Sequence, residues 1–285
     1  MIPRSEIRSI AAQSAIAPVV VDHDYALGCF LHFLAQEEVA RRHWIFKGGT
    51  CLAKCWFPDY RFSEDLDFTA VEAVTHEAML STVKSTARRM QERLGIRTDL
   101  REPTVETIND EYGRESFEGK VYYQGIWQFR GDPRAIKVHV SRDEAILFAP
   151  ISKEINHPYS DRDQLGQVDV RVYALEEVVS EKLRAFAGQR RFTVARDVFD
   201  LHFLRDRVDL QRALPAFHKK REAKGLGAGT IDLAGIEAKR EDYRANWEQN
   251  LFYLLPESLR MPFDAAWGSS LELLRQATNR RLSSQ

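Results

Sequence analysis

The sequence predicts an α+β fold, in which a mixed sheet with flanking helices is followed by a helical C-terminal part. In the first 173 residues, short apolar runs and alternating apolar and polar stretches, which are typical of strands, are interspersed with helical patterns. From Leu175 onward, apolar residues recur at helical spacing. We therefore expect two domains, residues 1–173 and residues 174–285, with the sheet in the first.

Length and composition are those of an ordinary globular protein. The chain has 285 residues, of which 44% are hydrophobic and 29% charged, and its net charge is −1. No apolar run is long enough to span a membrane, and the first residues lack the apolar region of a signal peptide, so we expect a cytoplasmic protein without a membrane partner. Cys29, Cys51 and Cys55 are too few for a disulfide framework and are expected to be buried packing residues.

The N-terminal segment is expected to be helical. Residues 5–16 are predicted to form a short helix with Ser5 as its N-cap. Residues 22–42 are predicted to form a longer helix that Asp22 caps, with an apolar side suited to packing against a sheet.

Residues 44–50 combine a short apolar run with two glycines. Residues 44–46 suit a buried strand, and Gly48 and Gly49 allow the backbone to turn sharply and another group to approach closely. Residues 51–57 are apolar enough to begin a helix. Because a helix N-terminus presents unpaired N–H groups and the positive end of its dipole, this order of elements predicts an anion site.

Asp65 and Asp67 lie two residues apart in a segment with the apolar residues Leu66 and Phe68. In a strand, both carboxylates would face one side and the apolar residues the other. Two carboxylates so close repel each other, and a hard cation such as Mg²⁺ removes that cost when a phosphate substrate is present. A Gly-Gly turn alone or Asp-x-Asp alone is most often a simple turn or a solvated strand edge. Together they indicate a phosphate-binding turn beside a metal-binding strand.

A β-rich region follows a helix predicted over residues 72–94, which Gly95 ends. The strands predicted there are residues 96–100, 120–129, 135–141 and 168–173. Residues 106–118 are polar and acidic and are expected to form a loop, and residues 131–133 are expected to form a turn.

The first helix of the C-terminal part begins at Leu175. Its apolar stripe leaves Glu177 on the expected polar side, with Lys182 close by. Considered alone, Lys182 is explained equally by a solvated helix lysine and by a contact with an anionic ligand.

The second helix, residues 192–204, is predicted to start at a Thr193 cap. Asp197 and Asp200 are three residues apart and therefore share a face. A helix salt bridge with Arg196 offers a purely structural explanation for Asp200.

The remaining chain is expected to be helical, with a glycine loop at residues 225–229 and Trp247 in the core. Two sets of basic residues are candidates for contact with a polyanion, although solvated helix faces explain them equally well. These are Arg184, Arg190, Arg191 and Arg196, and the run Lys219-Lys220-Arg221 with Lys224.

The segments K-G-G-T at residues 47–50 and R-F-S-E-D-L-D-F at residues 61–68 resemble the first motif of the AbiEii/AbiGii toxin family. These are nucleotidyltransferase-like proteins of bacterial type IV toxin–antitoxin and phage-abortive systems. Residues 176–185 and 196–204 resemble later segments of the same family. The resemblance implies a nucleotidyltransferase-like domain with a twisted mixed sheet, and a helical part that contributes to the active-site cleft.

The resemblance also implies roles for single residues. Asp65 and Asp67 would hold Mg²⁺ with an NTP, and Lys182 would reach its phosphates. An aspartate of the second C-terminal helix is functional in the family, and Asp197 is preferred here over Asp200. The residues implied in nucleotide binding are Lys47, Gly48, Gly49, Thr50, Arg61, Ser63 and Lys182. The reaction implied is transfer of a nucleoside monophosphate to an acceptor such as a tRNA 3′ end, and the partner implied is a cognate antitoxin.

His139 departs from the family pattern, because a third carboxylate is common at this place in such enzymes. On an alternating strand it shares a face with Lys137 and Ser141. A histidine can bind a metal, act as a base or donate to a phosphate, although Mg²⁺ prefers oxygen ligands. A half-buried histidine without chemistry explains the pattern equally well, and the nearby Asp143 and Glu144 are candidates to compensate.

Two alternatives to transfer remain. An NTP-binding or kinase-like module without nucleotidyl transfer would agree with His139 in the place of an acid. A non-enzymatic interaction protein would bind neither metal nor NTP, which the paired aspartates argue against.

Overall fold

The chain folds into two compact units, and the computed structural model describes residues 1–109, 115–127, 133–189, 192–226 and 231–282. The first unit comprises Met1–Glu144, Pro150–Val172 and Leu254–Leu259, and the second comprises Ala145–Ala149, Tyr173–Tyr253 and Arg260–Gln285. The domain ranges expected from the sequence stay a prediction.

A seven-stranded mixed sheet forms the centre of the first unit within the described residues. Its strands are β1 (Trp44–Lys47), β2 (Asp65–Ala70), β3 (Thr104–Asn109), β4 (Glu115–Tyr123), β5 (Arg134–Ser141), β6 (Ile151–Glu154) and β7 (Asp169–Val172). Their order across the sheet is β3-β4-β5-β2-β1-β7-β6. Strand β2 lies in the middle, antiparallel to β1 and parallel to β5, so its residues have neighbours on both sides. The predicted α+β fold class is confirmed.

The helices of the first unit cover the apolar side of the sheet and flank its turns. They are α1 (Arg4–Ser14), α2 (Pro18–Leu34), α3 (Glu38–His43), α4 (Gly48–Cys51), α5 (His76–Leu94) and α6 (Arg162–Leu165), and a π-helical turn, Leu52–Trp56, follows α4. Helix α2 is almost completely buried, and Phe30, Leu31 and Leu34 join Phe68 and Val138 of the sheet in one apolar core.

The helix starts predicted near the N-terminus are wrong. Helix α1 begins at Arg4 after an extended Pro3, so Ser5 lies inside it. Helix α2 begins at Pro18, which suits the first turn because proline has a fixed φ and no N–H. Asp22 therefore lies within α2, where its carboxylate accepts a hydrogen bond from the backbone N–H of Ile126 at 2.9 Å.

One hairpin of the sheet was not predicted, because its residues are polar. Residues 106–118 were expected to be a loop, but both ends are strands of the β3/β4 hairpin. An edge strand often carries charged residues on its solvent side, which explains the acidic composition. Residues 96–100 are not a strand, because Thr98 instead binds helix α5 through Ala87 O and the Gln91 side chain. Strand β6 was not predicted.

Helices make up the second unit. They are α7 (Leu175–Arg184), α8 (Ala195–Leu204), α9 (Leu210–Ala223), α10 (Leu233–Ala238), α11 (Arg240–Asn250) and α12 (Phe263–Leu282), with a turn at Ala185–Gln189. Between α11 and α12 come the 3₁₀ turns Phe252–Leu254, where the chain passes from the second unit to the first, and Glu257–Leu259, which belongs to the first. Trp247 is buried in their core, as predicted. Thr193 does not cap α8, whose first N–H, that of Ala195, is bound by Asn246 Oδ1 at 2.9 Å.

Glu177 is fully buried rather than on a polar face. Its carboxylate lies 2.6 Å from Lys220 Nζ and accepts the backbone N–H groups of Leu147 at 2.9 Å and Phe148 at 2.8 Å. Lys220 is equally buried, and Arg221 and Lys224 beside it are also buried. The basic run on α9 is therefore neither a solvated face nor an exposed contact for a polyanion, except at the exposed Lys219.

Some sequence-based expectations fall on residues outside those described. These are residues 110–114 of the acidic segment, Gly131 and Asp132 of the predicted turn, Gly227 to Gly229 of the glycine loop, and Arg190 and Arg191. None of the helices in the described part of the chain combines the length and apolarity that crossing a bilayer requires. Cys29 and Cys51 are buried as expected, whereas Cys55 is half-buried.

We expect Glu177→Ala to lower the free energy of unfolding by about 3–5 kcal/mol, because it leaves the Lys220 ammonium buried without its nearest carboxylate. Glu176→Ala is the matched control, because Glu176 is next to Glu177 on α7 and forms an exposed ion pair with Arg212 of α9. It is expected to lower the free energy of unfolding by at most about 1 kcal/mol. Urea denaturation followed by tryptophan fluorescence measures both. Equal losses in the two variants would show that the buried pair contributes nothing specific.

Candidate active site

Asp65 and Asp67 project from the same face of β2, as the alternation predicted. Leu66 and Phe68 are buried in the core, whereas the two aspartates are half-buried. Their strand lies between β1 and β5, so neighbouring residues flank the carboxylates on both sides. Two like charges held this close on one strand face repel each other and favour a bound cation.

Gly48 lies directly against Asp67. Its φ of +79° is in the left-handed region, which glycine adopts without strain. A Cβ at this position would lie 2.5 Å from Asp67 Oδ2, so there is no space for a side chain. The turn predicted from the glycines and the predicted Asp-x-Asp strand are therefore in contact.

Two further contacts connect the turn to β2 and to the segment before it. Thr50 Oγ1 donates a hydrogen bond to Asp65 O at 2.5 Å. The Arg61 guanidinium lies over Gly49, where a Cβ would be 2.5 Å from Nη2, and Arg61 is only 2% exposed. The structure thus brings Gly48, Gly49, Thr50 and Arg61 together with the two aspartates. Lys47 and Ser63, which were also predicted site residues, are buried in the same unit.

His23, to which the sequence assigned no role, fixes the start of β2. Its Nε2 lies 2.9 Å from Glu64 O, and its Nδ1 lies 2.8 Å from Tyr123 Oη. Burial lowers the pKa of His23, which favours the neutral ring that donates from Nε2 and accepts from the tyrosine. A histidine on an otherwise apolar helix gave no reason to expect this contact.

His139 lies between two carboxylates. In the sheet register it pairs with Asp67 on β2 and with Glu118 on β4. Its Nδ1 is 3.5 Å from Asp67 Oδ1, and its Nε2 is 2.6 Å from Glu118 Oε2. Asp143 and Glu144, the candidates to compensate for His139, follow β5 in a loop, and this role stays a prediction.

Nearby carboxylates raise the pKa of His139. Burial alone lowers that pKa, but Asp67, Glu118 and Asp65 together outweigh it and raise the value to about 9. For Glu118, burial opposes ionisation, yet Lys120 and His139 keep the pKa of the carboxyl below its usual value. His139 is therefore a cation at neutral pH in the metal-free protein.

Glu118 is the site residue that the sequence analysis missed. It was assigned to a loop because its surroundings are polar, although half-buried and buried positions alternate from Phe117 to Tyr123. That alternation could have indicated a strand. Only the register of β4 against β5 places Glu118 beside His139, and the sequence does not give that register.

Asp65 and Asp67 suit a Mg²⁺ ion that is shared with a substrate. Among the residues that the structure describes, no group of three or more His, Cys, Asp and Glu side chains is arranged to hold a metal. Mg²⁺ is commonly held by one or two carboxylates and takes its other ligands from phosphates and water. The half-buried carboxylate pair fits that role, whereas a dedicated metal site built only from protein ligands is not present in the described part.

In the second unit, Lys182 forms ion pairs with both candidate aspartates. Its Nζ is 2.9 Å from Asp197 Oδ1 and 2.6 Å from Asp200 Oδ2. Asp200 is fully buried, and Asp197 and Lys182 retain slight exposure. The prediction that the two aspartates share a helix face is confirmed, and their contact with Lys182 joins three predicted residues in one cluster.

Comparisons with known proteins show which family and which folds the chain is similar to. A family model described as Nucleotidyl transferase AbiEii toxin, Type IV TA system, matches residues 32–269 of the chain. The fold is similar to that of MenT4, a nucleotidyltransferase toxin from Mycobacterium tuberculosis H37Rv, with 20% identity, a TM-score of 0.55, and coverage of 96% of this chain and 99% of that chain. It is also similar to JHP933 from Helicobacter pylori, with 20% identity, a TM-score of 0.54, and coverage of 94% and 97%. A search of curated proteins finds no significant match.

We expect Gly48→Ala to destabilise the protein by roughly 2–4 kcal/mol, because it adds left-handed backbone strain and a clash with Asp67. Gly188→Ala is the matched control, since Gly188 has a φ of +91° and a ψ of 12° but nothing within 4 Å of an added Cβ. That variant is expected to lose about 1–2 kcal/mol. Chemical denaturation measures both, and equal losses would contradict the close contact between Gly48 and Asp67.

The stability of the metal-free protein should depend on the ionisation of His139. Its pKa rises from about 6.5 in the unfolded chain to about 9 in the folded protein. The stabilisation is therefore complete below pH 6.5 and is lost as the pH rises towards 9. We expect His139→Gln to remove this decline and Glu118→Gln to narrow its pH range. The free energy of unfolding, measured in EDTA as a function of pH, tests this prediction. If the free energy of unfolding of His139→Gln declined with pH as steeply as that of the wild type, the decline could not be assigned to His139.

Proposed function

The chain belongs to the AbiEii family of nucleotidyl transferase toxins of type IV toxin–antitoxin systems, and from this premise we propose that it transfers a nucleoside monophosphate from an NTP to an acceptor hydroxyl. The observation that carries the proposal is the contact between the Gly48 turn and Asp67, which with Asp65 forms a carboxylate pair on β2. A phosphate-binding turn in contact with a carboxylate pair is the arrangement that a metal-bound triphosphate needs.

Asp65 and Asp67 are the proposed ligands of Mg²⁺. When bound, the ion supplies charge neutralisation on the triphosphate and alignment of the attacking and leaving oxygens. Gly48 keeps the backbone close to the carboxylates because it has no side chain to occupy that space. Thr50 maintains the position of Asp65 by its hydrogen bond to the backbone oxygen.

The phosphates would contact the turn and the segment before β2. We assign this role to the backbone of Gly48, Gly49 and Thr50, to the hydroxyl of Ser63, and to the cations Lys47 and Arg61. The buried Arg61 guanidinium over Gly49 supports the assignment, because a desolvated cation beside a glycine turn attracts an anion strongly.

In the transfer step, an acceptor oxygen forms a bond with the α-phosphorus, the bond from that phosphorus to the β-phosphate oxygen breaks, and pyrophosphate leaves. Lys182 neutralises charge on the phosphates as a point charge. The proton of the acceptor hydroxyl passes to Asp197 or His139.

Membership of a family of nucleotidyl transferase toxins supports a proposal for the acceptor and for the partner. We propose a tRNA 3′ end as the acceptor, because it presents a free hydroxyl, and a cognate antitoxin as the partner. Incubating the protein with each labelled NTP and total cellular RNA identifies the base and the acceptor in one experiment.

NTP binding without transfer is the second candidate function. It is favoured by His139, a cation that forms an ion pair with Asp67 where such enzymes commonly have a third carboxylate. Binding of NTP by calorimetry, without any labelled RNA or protein product, would support this candidate over transfer.

We expect Asp65→Asn and Asp67→Asn each to lower the rate of nucleotidyl transfer by more than about 100-fold, since loss of a direct metal ligand should exceed the effect of losing an outer-shell partner. Asp59→Asn, an exposed aspartate of the same unit, is the matched control and should transfer at the wild-type rate. Transfer of label to RNA, with circular dichroism to verify folding, measures the effect. Transfer that persists in the double variant Asp65→Asn/Asp67→Asn would refute the assignment.

A further inference from the structure

Lys137 lies next to the carboxylate pair on the same face of the sheet. Strand β5 runs parallel to β2, and the register places Lys137 opposite Asp65 and His139 opposite Asp67. The intervening Val138 is fully buried, so alternation directs Lys137 to the face that carries the aspartates. Two residues of β5 thus flank the two aspartates, one beside each.

The environment of Lys137 differs from that of its neighbouring cation. Lys120 is opposite Lys137 on β4, and its ammonium is 2.8 Å from Glu118 and 3.3 Å from Glu106. Lys137 is exposed, and among the residues that the structure describes no carboxylate lies within ion-pair distance of it. Its side chain is therefore available to a ligand above this face.

We propose that Lys137 is a substrate-binding residue that contacts a phosphate group at the reaction centre. This inference rests on the proposed function, because it requires Asp65 and Asp67 to bind a metal–nucleotide complex. An ammonium on a flexible stem one strand away from Asp65 can form a charge-assisted hydrogen bond with a phosphate oxygen held above the pair.

Two substrates present phosphate at this place. One is the triphosphate of the NTP, and the other is the phosphodiester next to the attacking hydroxyl of a nucleic-acid acceptor. Both offer the same anionic oxygens to Lys137, and equilibrium binding measured separately for each distinguishes them.

The experiment compares the wild type with three variants. Lys137→Met removes the charge but keeps an unbranched apolar stem, and Lys137→Arg restores a cation. Lys84→Met is the control for net charge, because Lys84 is a half-exposed lysine, paired with Glu102 at 2.9 Å, on α5, the helix that packs against the opposite face through Met79 and Val83. The probes are non-hydrolysable analogues of the four NTPs with Mg²⁺, measured by calorimetry, and end-labelled total tRNA, measured by filter binding.

We expect Lys137→Met to weaken binding of one probe about tenfold, the loss typical of a hydrogen bond to a charged group. Lys137→Arg should retain most of the affinity, and Lys84→Met should bind as the wild type does. Weakened binding of the NTP analogue assigns the phosphate to the triphosphate, and weakened binding of tRNA assigns it to the acceptor. The loss should shrink at high salt, because an exposed charge is screened.

Unchanged affinity of Lys137→Met for both probes, with a wild type that binds the NTP analogue, would overturn this inference and leave the proposed function intact. A wild type that binds no NTP analogue would overturn the proposed function and this inference with it. A comparable loss in Lys84→Met would also overturn it, since the effect would then reflect net charge rather than the position of Lys137.

Discussion

Repulsion between the like-charged carboxylates of Asp65 and Asp67, which lie on one face of β2, is the constraint on which the candidate site depends. The fold holds both on one face of β2, half-buried, where water screens them less than at an open surface. It compensates in part by placing His139 3.5 Å from Asp67 and by aligning Lys137 with Asp65. The Gly48 backbone passes close to Asp67 because no side chain intervenes. A divalent cation with bound phosphates would complete this balance of charge, which connects the arrangement to nucleotide chemistry.

In the second unit, the buried charged side chains are paired with one another. Lys182 is held by Asp197 and Asp200, and Lys220 is held by Glu177. Buried pairs of this kind contribute little net stability but are costly to break on one side. The two aspartates therefore hold the Lys182 ammonium in one place.

Local patterns in the sequence were sufficient to predict the centre of the site. Contacts between residues that are distant in sequence could not be predicted from them. The alternation around Asp65 and Asp67 and the glycines before them are determined by neighbouring residues, and the structure agrees with both. Glu118 was assigned to a loop because its surroundings are polar, and its contact with His139 depends on the register of β4 against β5, which local patterns do not give. Residues 96–100 have an extended pattern but bind the preceding helix instead, since tertiary contacts override propensity.

Metal binding by the aspartate pair in the presence of nucleotide tests the central claim most directly. Mn²⁺, which replaces Mg²⁺ at oxygen ligands, can be followed by electron paramagnetic resonance with and without a non-hydrolysable NTP analogue. The account predicts that the protein binds Mn²⁺ tightly only when the analogue is present, and that the asparagine double variant at Asp65 and Asp67 loses this nucleotide-dependent binding. If the double variant binds Mn²⁺ and nucleotide as the wild type does, the carboxylate pair is not the nucleotide site.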